Sequence, residues 1–327
     1  MAQLLEVLLI SLSVFVSIAL VLIFLPAAKQ GDVSQTPAGQ DFARFAGSRR
    51  FAPPAPATHY PTRDGGERLL RRYGEGEHCL ILLHGSGGES AYLAGLAGEL
   101  AEATGLSVLT PDLYGHGPEP VVRGDVDSLE RQTNDIADLI AHWRATHPSA
   151  KVFIGGHSIG GGTALRFATT AGAPAFQGLL LFSPFIHRKS PAARADSGGW
   201  AKPNIKRFAG IEMLQRLGIH VFDRLPVLSF AIGNTPAQHA TPQYSWRLYR
   251  SLTPRDTWQA DIASIRQPTL VLGAGADVIF NADAYAGIFA ESHDAQVQVF
   301  ADVGHFDLIF HEPAAQAASA WLADKLA

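Results

Sequence analysis

The sequence is poor in cysteine and in charged residues. One cysteine, Cys79, occurs among 327 residues, which excludes an internal disulfide framework and a cysteine-rich metal site. Charged residues make up 17% of the chain, and the formal net charge is −4. No run of Lys and Arg is longer than two residues, which argues against a nucleic-acid partner. The metal-ligand spacing H-E-x-x-H is also absent. We expect neither a metal nor an organic cofactor.

Hydrophobic residues, by contrast, make up 47% of the chain, a composition typical of a folded globular body. The length suffices for one large α/β domain or two small ones.

An uncharged apolar run extends from Val7 to Leu25. As a helix it would be about 28 Å long, close to the thickness of the hydrocarbon core of a bilayer. A cleaved signal peptide is an alternative, but no Lys or Arg precedes the run, and Pro26-Ala-Ala28 is a poor cleavage site. A buried core helix is a second alternative, but the run lacks a polar face. We predict a single-pass membrane anchor over residues 5–27.

Glycine and proline punctuate the next segment, so we predict a tether over residues 28–57. Lys29 and Arg44 follow the apolar run, and the positive-inside tendency therefore favours a cytoplasmic body. The side of the membrane and the oligomeric state stay open.

Strand-like and helix-like segments alternate from residue 58 to residue 327. Short apolar runs without polar alternation, such as Cys79–Leu83 and Leu179–Phe182, are typical of strands covered on both faces. The alternation predicts an α/β fold with a doubly wound, mostly parallel sheet. It stops over residues 185–261, which we interpret as a helical cap inserted over the carboxyl edge of the sheet.

The pattern Gly156-His-Ser158-Ile-Gly160 lies between a predicted strand and a predicted helix. A serine on such a turn is held in a strained conformation with its hydroxyl above the end of the strand. A turn that only bends the chain or holds a phosphate is the alternative. We predict that Ser158 is a nucleophile.

A serine nucleophile needs a base, and the base needs an orienting carboxylate. Asp277 and His305 each follow a later predicted strand, so both should lie at the same sheet edge as Ser158. The chain order Ser158, Asp277, His305 suits this architecture. Asp283 and Asp302 are alternative carboxylates.

An acyl-transfer site also needs donors for the oxyanion. We expect these to be the backbone amides of Ile159, after the nucleophile, and of Ser86, in the glycine-rich loop after the first buried strand. We expect His84 and His157 to be structural.

Five motifs together resemble the α/β-hydrolase superfamily, in particular its lysophospholipase and monoacylglycerol-lipase-like serine hydrolases. They are His84-Gly-Ser-Gly-Gly88, Asp112-Leu-Tyr-Gly-His-Gly117, Gly156–Gly160, Gly275-Ala-Asp277 and Gly304-His305. The resemblance covers roughly residues 58–327. Two departures are the absence of a serine after Gly117 and a cap pattern that matches no single branch.

The resemblance implies a Ser-His-Asp ester hydrolase. The predicted anchor and the apolar residues of the cap favour a lipid-like or apolar ester as its substrate. Five apolar cap residues could line an acyl site or form the core of the cap: Phe222, Leu225, Val227, Leu228 and Phe230. A peptidase, thioesterase or lactonase with the same triad is an alternative. A non-catalytic binding protein that retains the fold is another.

Overall fold

The computed structural model describes residues 1–26, 52–232 and 239–327. Most of the predicted tether lies outside these residues. The α-helices of the described part are α1 Ala2–Phe24, α2 Ala94–Thr104, α3 Arg131–Thr146, α4 Ile159–Ala168, α5 Ile205–Gln215, α6 Trp246–Leu252, α7 Trp258–Ala263, α8 Ala284–Ile288 and α9 Glu312–Leu326. Its strands are β1 Ala57–Pro61, β2 Glu67–Tyr73, β3 Cys79–Leu83, β4 Ser107–Pro111, β5 Val152–His157, β6 Gly178–Phe182, β7 Ala201–Pro203, β8 Pro226–Phe230, β9 Gln243–Ser245, β10 Thr269–Ala274 and β11 Ala295–Phe300.

The main sheet of the described part has eight strands in the order β1-β2-β4-β3-β5-β6-β10-β11. Strand β2 pairs antiparallel with β1 and with β4, whereas every neighbouring pair from β4 to β11 is parallel. Strands β3, β4, β5, β6 and β10 are buried along their whole length, which explains why apolar residues predominate in them without polar alternation. The predicted doubly wound, mostly parallel sheet is confirmed.

Helices cover both faces of this sheet. Apolar side chains of α3 and α4 pack on one face, in a core that also includes the cap and the end of α1. Those of α2 and α9 pack on the other face. Because the carboxyl ends of the parallel strands meet at one edge, the loops after β3, β5, β10 and β11 converge there.

The cap between β6 and β10 is helical only in part. It contains α5, α6 and α7, but also an antiparallel sheet in the order β7-β8-β9 that the sequence did not predict. Two of these strands are three residues long and the third begins at a proline, so none has the alternating pattern by which a strand is recognised.

Helix α1 is long and apolar enough to cross a membrane. It begins three residues before the predicted anchor and ends three residues before its predicted end. Only 11% of its most apolar window is buried against the rest of the chain. Its buried residues, Ala19 and Ile23, lie near its carboxyl end.

Candidate active site

The turn that carries Ser158 is sharp and crowded. Ser158 adopts φ 57° and ψ −120° between β5 and α4, a conformation that few residues other than glycine adopt. A Cβ on Gly156 would lie 2.3 Å from the carbonyl carbon of Gly160, and a Cβ on Gly160 would lie 2.3 Å from the Leu83 carbonyl oxygen. The glycines on both sides of Ser158 are therefore required by close approach of the backbone.

Asp277 and His305 are in direct contact. Nδ1 of His305 lies 2.6 Å from Oδ2 of Asp277, and both side chains are buried. Because a carboxylate only accepts hydrogen bonds, Nδ1 carries the proton and the lone pair of the ring lies on Nε2. Nε2 is buried and has no hydrogen-bond partner among the described residues. Of the three predicted carboxylates, Asp277 is the one bound to His305.

The surroundings of Asp277 keep its carboxyl group ionised. Burial is the largest influence on its pKa and opposes ionisation, but attraction to His305 and several hydrogen bonds outweigh it, so that the pKa is lowered. Oδ1 accepts hydrogen bonds from the amides of Ile279, at 2.7 Å, and Phe280, at 2.9 Å. Hydrogen bonds to the charged form favour that form.

The glycine-rich loop after β3 passes beside Ser158. A Cβ on Gly85 would lie 3.4 Å from the Cβ of Ser158. Ser86, the next residue, is half-buried, and its backbone amide makes no hydrogen bond to another backbone group in the described part of the chain. Ile159 is the first residue of α4, where backbone amides lack partners within the helix. The backbone amides of Ser86 and Ile159 are thus available to donate hydrogen bonds near Ser158.

Three hydrogen bonds link this loop to the loop of His305. The Gly85 amide donates to the hydroxyl of Tyr92, which lies 3.0 Å from Nδ1 of His157; Nε2 of His157 lies 3.1 Å from the His305 carbonyl oxygen. Since a carbonyl only accepts, Nε2 of His157 carries the proton, and the Tyr92 hydroxyl donates to Nδ1. Burial, followed by the nearby His305, lowers the pKa of His157 to about 3, so its ring stays neutral.

The cap holds the same glycine-rich loop from the other side. The Gly87 amide donates to the hydroxyl of Tyr244, at 2.8 Å, and the Thr241 amide donates to the Gly87 carbonyl, at 2.9 Å. Nε2 of His116 lies 2.6 Å from the same Tyr244 hydroxyl. The loop that carries Ser86 is therefore fixed by both the main sheet and the cap.

His84 connects the loop after β3 with the loop after β4 through two hydrogen bonds. Its Nδ1 donates to the Gly85 carbonyl at 3.0 Å, and its Nε2 accepts from the Leu113 amide at 3.0 Å. Both ring nitrogens are therefore occupied, in agreement with the structural role expected for His84. Sequence reasoning missed Tyr92 and Tyr244, because each is a lone tyrosine outside any recognised motif.

Aromatic side chains surround His305. The rings of Phe280 and Phe306 each lie 5.1 Å from its imidazole, edge to face. Trp200 of the cap packs on Phe306 and on Phe230, one of the five apolar cap residues singled out above. These contacts give the site apolar walls made partly by the cap.

Three solved structures show the same fold. A monoacylglycerol lipase from Paleococcus ferrophilus is 22% identical, with a TM-score of 0.60 over 80% of this chain and 100% of the other. A soluble variant of monoglyceride lipase from Saccharomyces cerevisiae is 16% identical, with a TM-score of 0.66 over 84% and 96%. An esterase from Thermogutta terrifontis is 23% identical, with a TM-score of 0.57 over 83% and 99%. At these identities the similarity establishes the fold.

Uncharacterised proteins of Mycobacterium tuberculosis and Mycobacterium bovis are 35% identical to the chain over 120 residues, or 37% of this chain and 32% of each relative. The chain thus matches about a third of the length of these relatives.

Residues 74–314 match the sequence profile of a hydrolase family described as serine aminopeptidase, S33. Because this match spans most of the chain, the protein belongs to that family of α/β-hydrolases.

Proposed function

We propose that the protein is a serine ester hydrolase in which Ser158 is the nucleophile, His305 the general base and Asp277 the orienting carboxylate. The observation that supports this most directly is the His305–Asp277 pair. It leaves Nε2 of His305 buried and without a partner among the described residues, and the neighbouring His157 hydrogen-bonds to the backbone of His305.

In the proposed mechanism, Nε2 of His305 accepts the proton of the Ser158 hydroxyl as Oγ attacks the ester carbonyl carbon. The amides of Ser86 and Ile159 donate to the resulting oxyanion; loss of one such donor typically costs about 2.7–4 kcal/mol in the transition state. His305 then protonates the leaving alcohol and afterwards activates the water that releases the acid. No hydrogen bond joins Ser158 to His305 among the described residues, and such bonds commonly form only when substrate binds.

A lipid-like or apolar ester suits the site best. The aromatic walls contributed by Phe280, Phe306 and Trp200 favour an apolar acyl group. Helix α1 would hold the enzyme at the membrane where such esters occur. The family description favours a second candidate, an aminopeptidase, which would cleave an amide with the same three residues.

Labelling with a fluorophosphonate probe tests the nucleophile. We expect the wild type to be labelled and Ser158→Ala to be unlabelled. Ser86→Ala is the matched control, because it removes a hydroxyl from the adjacent loop and keeps the backbone amide, so it should still be labelled. An unlabelled but folded wild type would rule out the proposal.

Turnover of 4-nitrophenyl esters of increasing acyl length tests the substrate class. We expect octanoyl and longer esters to be cleaved with higher kcat/KM than acetyl esters. A preference for acetyl esters would contradict the lipid-like substrate. Faster cleavage of aminoacyl 4-nitroanilides than of any ester would instead identify the aminopeptidase.

A further inference from the structure

The carboxyl end of α1 is attached to the cap. Ala19 and Ile23 are fully buried, and a Cβ on Gly210 of α5 would lie 2.6 Å from the Ala19 carbonyl oxygen. Nε of Arg207 donates to the Ile23 carbonyl at 3.1 Å. The two helices therefore cross in backbone contact at a position where only glycine fits.

This attachment limits the part of α1 that can lie in a membrane. Val16 already packs against the core of the body, so that at most the 14 helical residues Ala2–Phe15 of the described chain project clear of it, and these extend about 21 Å. The hydrocarbon core of a bilayer is about 30 Å thick, and a tilted helix spans less than its own length. A bilayer crossed by α1 must therefore extend to the level of α5.

The cap surface next to this contact is apolar. Ile205, at the start of α5, is 73% exposed, Leu217 is 41% exposed and Val221 is 63% exposed. Phe222, which follows Val221, packs edge to face on Phe24 at 5.7 Å. Outside α1 and the adjoining Met1 and Leu25, only four other large apolar side chains of the described residues are exposed, so this short segment, with three, is enriched in them.

The same segment is basic in an acidic protein. Residues 202–224 contain five basic residues and two acidic ones, whereas the whole chain has a net charge of −4. One of the acidic residues, Glu212, is paired with Arg188. Lys206, Arg216 and Arg224 are exposed. Exposed apolar side chains among Lys and Arg are typical of surfaces that bind anionic lipid.

We propose that the cap surface formed by residues 202–224 docks on an anionic lipid bilayer, in which α1 is embedded. Ile205, Leu217 and Val221 lie at the boundary between headgroups and acyl chains, and Lys206, Arg216 and Arg224 bind lipid phosphates. The cap is thereby held at the membrane surface. This proposal does not depend on the chemistry proposed for Ser158.

Fluorescence of full-length protein in vesicles tests the docking. The buried Cys79 is the only native cysteine, so single cysteines at Ile205→Cys, Val221→Cys and Glu102→Cys can each carry an environment-sensitive nitrobenzoxadiazole label. Glu102 is an exposed residue of α2, which packs on the opposite face of the main sheet. A label at Leu9→Cys reports on α1 itself.

In phosphatidylcholine vesicles that contain phosphatidylglycerol, we expect blue-shifted emission and quenching by doxyl-labelled lipids at positions 9, 205 and 221. Position 102 should be quenched only by aqueous iodide. Emission at 205 and 221 identical to that at 102 would overturn the proposal, as would an unquenched label at position 9.

A charge variant separates the contribution of the basic residues to membrane binding from that of the apolar residues. Phosphatidylglycerol in the vesicles should increase doxyl quenching at position 221 of the parent protein. Replacing Lys206, Arg216 and Arg224 together by Gln should abolish this increase. Equal quenching in vesicles with and without phosphatidylglycerol, for both the parent and the variant, would overturn the role of the basic residues.

Discussion

The hydrogen bonds around His305 determine where the protons lie on its own imidazole ring and on that of His157. Two acceptor-only groups, the Asp277 carboxylate and the His305 carbonyl, determine which nitrogen of His305 and of His157 carries a hydrogen. Single-atom changes at these contacts should therefore affect turnover more than folding.

Asp277→Asn should lower kcat about 10⁴-fold, because an amide can hold His305 in the wrong tautomer and does not stabilise its protonated form. Steady-state hydrolysis of a short 4-nitrophenyl ester measures the loss. Asp283→Asn, at the start of α8, is the control and should keep the parental kcat. Equal losses in both variants would contradict the assignment of Asp277.

Tyr92→Phe removes the hydroxyl that joins the Gly85 amide to His157 and retains the ring. Loss of such a neutral contact typically costs about 1 kcal/mol, so we expect kcat to fall roughly fivefold while KM changes little. Tyr60→Phe alters a fully buried tyrosine of β1 and should leave kcat unchanged. A change in KM alone would show that Tyr92 affects binding and not the position of the two loops.

Among the helices, the contact between α1 and α5 depends on a glycine, Gly210, whose lack of a side chain lets the two backbones meet. Alanine favours a helix over glycine by about 0.5–1 kcal/mol, but a Cβ on Gly210 would meet the backbone of Ala19 at 2.6 Å and the side chain of Ile23 at 2.8 Å. Packing of helices can therefore outweigh intrinsic helix propensity.

Gly210→Ala should lower the Tm, with a loss of about 1–3 kcal/mol from overpacking. Gly98→Ala in α2 is the matched control, because no other part of the described chain lies within 4 Å of its added Cβ. That substitution should raise the Tm by the helix propensity alone. Thermal unfolding in detergent measures both, and a Tm increase in both variants would show that α1 does not hold α5 tightly.

Local sequence was sufficient to predict the buried strands and the turn at Ser158, because their patterns depend on neighbouring residues. Asp277 and His305 were placed at one sheet edge from the topology, and they are in contact. The cap sheet and the hydroxyl of Tyr244 on the Gly87 amide were not predicted. These pairings join residues far apart in the chain, and their sequence carries no periodic signal.

Across the whole molecule, buried neutral histidines make folding sensitive to acid. The pKa of His157 is about 3 in the folded protein, and the ordinary value is about 6.5. Between these values the unfolded chain binds more protons than the folded one. The contribution of the neutral His157 ring to the free energy of unfolding is therefore fully present above pH 6.5 and decreases as the pH falls towards 3. Burial also lowers the pKa of His84 and of His116.

The free energy of unfolding should therefore fall between pH 7 and pH 5, by about 2 kcal/mol from His157 alone. Denaturant titrations at each pH measure this slope. His157→Gln should make the slope shallower, whereas His220→Gln, at an exposed position, should leave it unchanged. A slope unaffected by His157→Gln would show that this residue is not the source of the acid sensitivity.

The hydrogen bonds from the cap to the glycine-rich loop have a consequence for protein engineering. Tyr244 and Thr241 belong to the cap, yet they hold Gly87, next to one proposed oxyanion donor. A chimera that exchanged the cap for one from another hydrolase, in order to alter acyl preference, would remove both contacts. Such a graft should retain turnover only if it reproduces a hydroxyl at the position of the Tyr244 oxygen.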